Sequence, residues 1–203
     1  LNLNSLLLST FSGRSPGKEI NIIVDYSCMT KKWYASVISA LINNDTDEEI
    51  YNVYFSYTPA AFEPTPRPRS FKLRDSLSLV SEPAVKPDKP VALIVGLGTD
   101  KKKTEIITKS IRYKELILMY ADPAINKEYV KNLLQNNQEI INSVDIRNFI
   151  NYPIHKLEKI NRILVNLVLE LRLKYKVVIA PMGPKVFTLV SLLIASRYPD
   201  VEV

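Results

Sequence analysis

The sequence predicts an α/β protein, a three-layer sandwich with a mostly parallel central sheet and helices on both faces. Two observations carry that prediction. Short β-branched runs that end in polar loops alternate with helix-period segments about five times along the chain, the order in which parallel strands are joined by helical crossovers. The clearest of these units is the stretch from Tyr175 to Lys185 followed by the apolar run Val186 to Ala195, which reads as a buried strand, a Gly-containing turn and a helix.

Taken in order, Glu19 to Asp25 is short and β-branched and is followed by Tyr26 and Ser27, as for a central parallel strand that ends in a loop. Thr30 is placed to cap a helix from Lys31 to Asn43, with Trp33, Val37, Ala40 and Leu41 at helical spacing and the Asn43-Asn44-Asp45 cluster as its end. Ile50 to Tyr57 is an aromatic and β-branched strand. Between residues 59 and 90 repeated prolines break the pattern and predict an irregular excursion, basic through Arg67, Arg69, Lys72 and Arg74, with one short strand or turn near Leu77 to Val80. A flap over a ligand, a partner-binding face and a solvated insertion are all open readings of it.

Alternation resumes at the buried strand Val91 to Val95, its loop Gly96 to Asp100 and a helix from Lys101 to Ile111. Glu115 to Tyr120 is the next strand, Asn126 to Ile141 a helix and Phe149 to Tyr152 a short strand. Lys156 to Lys174 carries an apolar stripe from Leu157 through Ile160, Leu164 and Val168 to Leu171, which means core. The pattern as a whole is Rossmann-like, and one domain is expected over residues 1–203. One sheet should hold the strands that begin near Ile20, Val91, Leu116 and Lys176.

Composition narrows the function classes. The 203 residues are 46% apolar and 24% charged, enough for an ordinary core. The formal charge of +6 is spread along the chain, with no basic stripe of interleaved aromatics, so a solvated basic surface is favoured over a nucleic-acid surface. Cys28 is the single cysteine and His155 the single histidine, which excludes an intramolecular disulfide and leaves no cluster of the kind zinc needs. Neither a metal nor a cofactor is expected, although carboxylates could hold magnesium. No apolar run is long enough to span a bilayer, and Leu1 to Phe11 lacks the flank and cleavage pattern of a signal peptide; the lone cysteine leads to the expectation of a reducing, cytoplasmic compartment. The start at Leu1 and the stop within the strand-like Val201 to Val203 suggest a trimmed or processed product.

A sheet of this type binds ligands at the carboxyl ends of its strands, near a topological switch point. Asp25, Ser27, Tyr57, Gly96, Gly98, Asp100, Asp122, Gly183 and Lys185 all follow strands and are expected to converge there. Each has a plainer alternative. Asp25 either meets a ligand or bonds its own loop. Gly96 and Gly98 begin a dinucleotide fingerprint that Asp100 and the following lysines do not continue, which favours tight-turn chemistry. Lys101 to Lys103 are expected to face solvent, Asp122 before Pro123 to form a turn, and His155 to lie at the surface or cap a helix. Cys28 has no base nearby in sequence and is not expected to act as a nucleophile. Lys185 is the leading candidate, because a helix N-terminus with a basic side chain suits a phosphate.

The strand, the turn with Gly183 and Lys185, and the apolar helix that follows resemble the last strand-turn-helix of CARF-type sensor domains, which belong with SAVED domains to prokaryotic antiviral systems. Gly183 and Lys185 match the Gly-Gly-Thr-Lys-type turn of that family, whereas Met182 and Pro184 depart from it. The resemblance implies a Rossmann-type sensor that binds a cyclic oligonucleotide, acts as a homodimer and signals to an effector domain or protein outside this chain. From the residues alone, the leading expectation is a ligand-sensing domain for a nucleotide or other phosphorylated small molecule. In that reading backbone N–H groups and Lys185 hold the phosphate, and Asp25 or Ser27 meets a ribose or base. The alternatives are a nucleotide-processing hydrolase or transferase, with Asp25, Asp100 or Asp122 as base or metal ligand, and a protein-interaction module built on the Pro-rich excursion.

Overall fold

A computed structural model of the chain describes residues 19–43, 50–59 and 89–203. The chain divides into two compact units, Leu1–Ala61 and Phe62–Val203, and each is treated by itself. Most of the Pro-rich excursion, with Arg67, Arg69, Lys72, Arg74 and the stretch from Leu77 to Val80, lies outside the described residues, as do Asn44 and Asp45.

The first unit is a strand, helix, strand crossover. Strand β1 (Glu19–Asp25) leads into α1 (Lys31–Asn43), and β2 (Ile50–Ser56) returns parallel to β1, with Glu19 opposite Ile50 and Asp25 opposite Ser56. The Thr30 carbonyl accepts the first helical bonds, from the N–H groups of Trp33 and Tyr34. Two expectations are corrected here. Trp33 is 57% exposed, while Val37 and Ala40 are buried as expected together with Tyr34 and Ile38, because i, i+3 and i+4 counted from Tyr34 form one face and Trp33 falls beside it. Strand β1 does not share a sheet with the strands near Val91, Leu116 and Lys176; among the described strands it pairs with β2 alone. Ile20 and Val24 are buried while Ile23 is 77% exposed, so β1 is a half-buried strand whose run of β-branched residues concealed the alternation.

The second unit is an α/β sandwich. Its strands β3 (Val91–Gly96), β4 (Glu115–Ala121), β5 (Phe149–Tyr152) and β6 (Lys176–Pro181) form one wholly parallel sheet in the order β5-β4-β3-β6. Both faces of β3 and β4 are buried, as expected of a parallel sheet covered by helices. On one face Leu93, Val95, Leu116, Leu118 and Ala180 meet Ile107 of α2 (Lys101–Ser110) and Leu133 of α3 (Lys127–Asn136). On the other, α5 (Leu157–Leu171) and α6 (Lys185–Arg197) pack together, with α6 beside β6. Ile160, Leu164 and Val168 are the buried stripe of α5. Helix α6 is buried on nearly every side from Val186 to Ala195, with Leu193 the exposed exception, as its almost wholly apolar composition requires.

The single helix expected from Asn126 to Ile141 is broken at Asn137 into α3 and a short α4 (Gln138–Ile141). The reason is polar: Asn137 is buried and turns its amide inward, donating to the carbonyls of Gly98 and Leu133. Beyond α6, Val201–Val203 runs beside β6, where the N–H of Ile179 donates to the Glu202 carbonyl and the N–H of Glu202 to the Val177 carbonyl. No described helix is long and apolar enough to cross a membrane.

Candidate functional site

In the first unit the carboxyl ends of β1 and β2 are tied by side chains. The Asp25 carboxylate accepts from the Ser27 N–H at 2.9 Å and from the Ser27 hydroxyl. The hydroxyl oxygen in turn accepts from the Thr58 N–H at 2.7 Å. Of the two roles read for Asp25, bonding its own loop is the one observed. Beside this tie the rings of Tyr26 and Tyr57 stack at 5.1 Å. Burial pushes both phenols above their ordinary range, and Tyr26 further because Tyr57 and Tyr34 lie close by, so they are neutral donors at pH 7. Cys28 is an exposed free thiol.

In the second unit Gly96 and Gly98 lie against Phe187, Met182 and Gly183, with Asp100 just before one of the following helices and Lys185 at the start of the other. The chain leaves β3 for α2 on one face of the sheet and leaves β6 for α6 on the other. Since β3 and β6 are neighbours, their carboxyl ends form the topological switch point of the sheet. The two loops there are in backbone contact. A Cβ on Gly98 would lie 2.5 Å from the Met182 carbonyl oxygen, and one on Gly183 would lie 2.6 Å from the Leu97 carbonyl oxygen. A Cβ on Gly96 would meet the Phe187 ring at 2.5 Å. None of the three has a left-handed φ. Tight-turn chemistry is thereby corrected for Gly96 and Gly98: they are glycine because two backbones and a ring approach closely, not because a turn demands unusual dihedrals.

The helices that start at the switch point are finished differently. Asp100 caps α2, accepting from the Lys103 N–H at 3.3 Å, and its other oxygen lies 3.5 Å from Lys103 Nζ. A carboxylate therefore already meets the positive end of that dipole. Helix α6 begins after Pro184, which has no side chain able to cap, and the Phe187 N–H turns back to the Pro184 carbonyl at 3.0 Å. Lys185 is half-buried at its first position.

Several residues at and behind this edge were not anticipated. Tyr152 ends β5, is fully buried and stacks on Phe187 at 5.2 Å, and burial holds its phenol far above the usual tyrosine range. Tyr152 Oη and Thr188 Oγ1 are buried without a hydrogen-bond partner. Asn136 donates to the Thr99 carbonyl at 2.7 Å, so both Asn136 and Asn137 hold the loop after β3. Two adjacent asparagines inside a helical pattern, where asparagine is a poor helix former, are the sequence signal that could have marked them. Lys101 is exposed as expected but is shared between Glu105 at 3.5 Å and Glu139 at 2.9 Å. Asp122 lies in the turn after β4, its N–H donating to the Tyr152 carbonyl, and His155 is exposed just ahead of α5. Among the described residues no three His, Cys, Asp or Glu side chains are placed to share a metal ion. The chain matches no family model, and comparison with curated proteins finds no match.

Proposed function

We propose that the chain is a ligand-sensing protein whose Phe62–Val203 unit binds a nucleotide or other phosphorylated small molecule at the β3/β6 switch point. The observation that carries this reading is the topology. Two crossovers leave adjacent parallel strands toward opposite faces, and that is where open α/β sheets open a crevice to ligands. The helix ends add a direction. The α2 terminus is neutralised by Asp100, whereas α6 starts without a side-chain cap and with Lys185 at its first position, an arrangement that suits an anion. The likeness of the Gly183 and Lys185 turn to CARF-type sensors names a cyclic oligonucleotide of an antiviral defence system as the first ligand to try, with the response carried by a second copy or an effector outside this chain.

The test begins with mass spectrometry of small molecules retained by the purified chain. Calorimetric titration of wild type and Lys185→Ala follows, with the retained compound or, if none is retained, with a cyclic oligoadenylate and with ATP. Losing a charge-assisted contact of about 1.5–3 kcal/mol lowers affinity roughly ten- to a hundred-fold, while the ligand-free melting temperature stays put because α6 is held by its apolar surface. Equal affinities would remove Lys185 from the site. Absence of any retained or titrated phosphorylated ligand would sink the reading.

A further inference from the structure

The loop after β3 is held from behind by two amides. Asn137 donates to the Gly98 carbonyl at 2.9 Å, and Asn136, the last residue of α3, donates to the Thr99 carbonyl at 2.7 Å. Both of these peptides are trans, so each N–H points opposite to the carbonyl of its own plane. With the Gly98 and Thr99 carbonyls drawn to the end of α3, the N–H groups of Thr99 and Asp100 face away from it. Neither N–H has a hydrogen-bond partner among the described residues. Thr99 and Asp100 are half-buried, and folded chains leave almost no shielded N–H unpaired, so solvent or a ligand completes these two donors.

The charge beside these donors selects what they meet. The Asp100 carboxylate stands in the same loop, bonded to the Lys103 N–H and close to Lys103 Nζ, so an anion gains little there, whereas an uncharged acceptor is not repelled. At α6, across the β3/β6 edge, no side chain caps the helix and Lys185 begins it. Resting on the reading of that edge as a site for a phosphorylated ligand, we propose that Asn136 and Asn137 are its positioning residues and that the site takes a nucleotide rather than phosphate groups alone. The phosphate lies at the start of α6, while the Thr99 and Asp100 N–H groups donate to an uncharged acceptor of the nucleoside, a ribose hydroxyl or a base acceptor.

Calorimetric titrations of the full chain with ATP, a cyclic oligoadenylate and tripolyphosphate test this assignment. Wild type binds at least one of the two nucleotides more tightly than tripolyphosphate, and in amide NMR spectra the Thr99 and Asp100 resonances move with that nucleotide but not with tripolyphosphate. Asn136 is exposed, so Asn136→Ala keeps the melting temperature. Losing the one neutral hydrogen bond that sets the loop weakens nucleotide binding about five-fold, while tripolyphosphate binds as before. Asn136→Gln keeps the amide and restores the nucleotide affinity. If wild type binds none of the three probes, the reading of the edge fails and this inference falls with it. Where wild type does bind, the positioning role alone is overturned by equal affinity for nucleotide and tripolyphosphate, by an Asn136→Ala variant that changes neither or weakens both alike, or by no recovery in Asn136→Gln.

Discussion

Two parallel strand pairs, β1 with β2 and β3 with β6, end in loops that the sequence marks alike, with small or polar residues after a β-branched run. Both ends also rest on a nearly parallel aromatic stack, Tyr26 on Tyr57 at 5.1 Å and Tyr152 on Phe187 at 5.2 Å. They are closed by opposite means. At β1/β2 the closure is made of side chains, with Asp25, Ser27 and the Thr58 N–H in series. At β3/β6 it is made of side chains left out, so that carbonyl oxygens lie 2.5 and 2.6 Å from where Cβ atoms of Gly98 and Gly183 would be. Side-chain closure uses up the polar groups at a strand end. Backbone closure brings two main chains together and leaves the start of α6 at the edge without a side-chain cap, whereas α2 is capped by Asp100.

Adding the missing atoms is the severest way to break this contrast. Gly98→Ala or Gly183→Ala sets a methyl against backbone that cannot swing aside, and each is expected to destabilise the chain by about 3 kcal/mol, the upper end of ordinary overpacking. Urea unfolding measures it, and a loss under about 0.5 kcal/mol for both would mean that the loops are not held by close approach.

The aromatic stacks respond to alkali. Tyr152 and Tyr26 have raised values in the folded chain, so the folded state keeps protons that the unfolded state releases near pH 10. Stability is retained below that pH and falls as pH rises beyond it, by about 1.4 kcal/mol per pH unit for each such group. Tyr152→Phe should remove its share of the slope while Tyr26 retains its own, and identical slopes in wild type and variant would contradict the burial argument. Ser27→Ala is the mildest change: it removes one donor and one acceptor in an exposed loop, for a loss of about 1 kcal/mol. A cost above that of Gly98→Ala would invert the comparison.

Much of the architecture was legible because β-branched runs and helical stripes report burial directly. The parallel strands β3, β4 and β6 and the Ile160, Leu164 and Val168 part of the stripe on α5 lie where periodicity placed them, although Leu157 at its start is 45% exposed. Strand pairing was not legible, since β1 and β3 read alike as apolar runs although, among the described strands, one pairs with β2 alone and the other lies inside a four-stranded sheet. Gly183 and Lys185 could be found from their position after a strand. The reason for Gly98 could not, because the atom it avoids belongs to Met182, distant in sequence. Tyr152 and Thr188 escaped notice for a similar reason: an unmet oxygen becomes visible only once every neighbour is in place.

Helix α6 has a mechanical meaning beyond its burial. Its 13 residues make a rod about 20 Å long, gripped along its length by close-packed neighbours that compress very little. Just past its far end the Tyr198 ring lies under the Arg172 guanidinium at 4.8 Å, and Arg172 is forked onto Asp200 at 3.0 and 2.6 Å. The helix thus joins the switch point at Pro184 to the clamp of Arg172, Tyr198 and Asp200 at the opposite margin of the sheet, as one packed body.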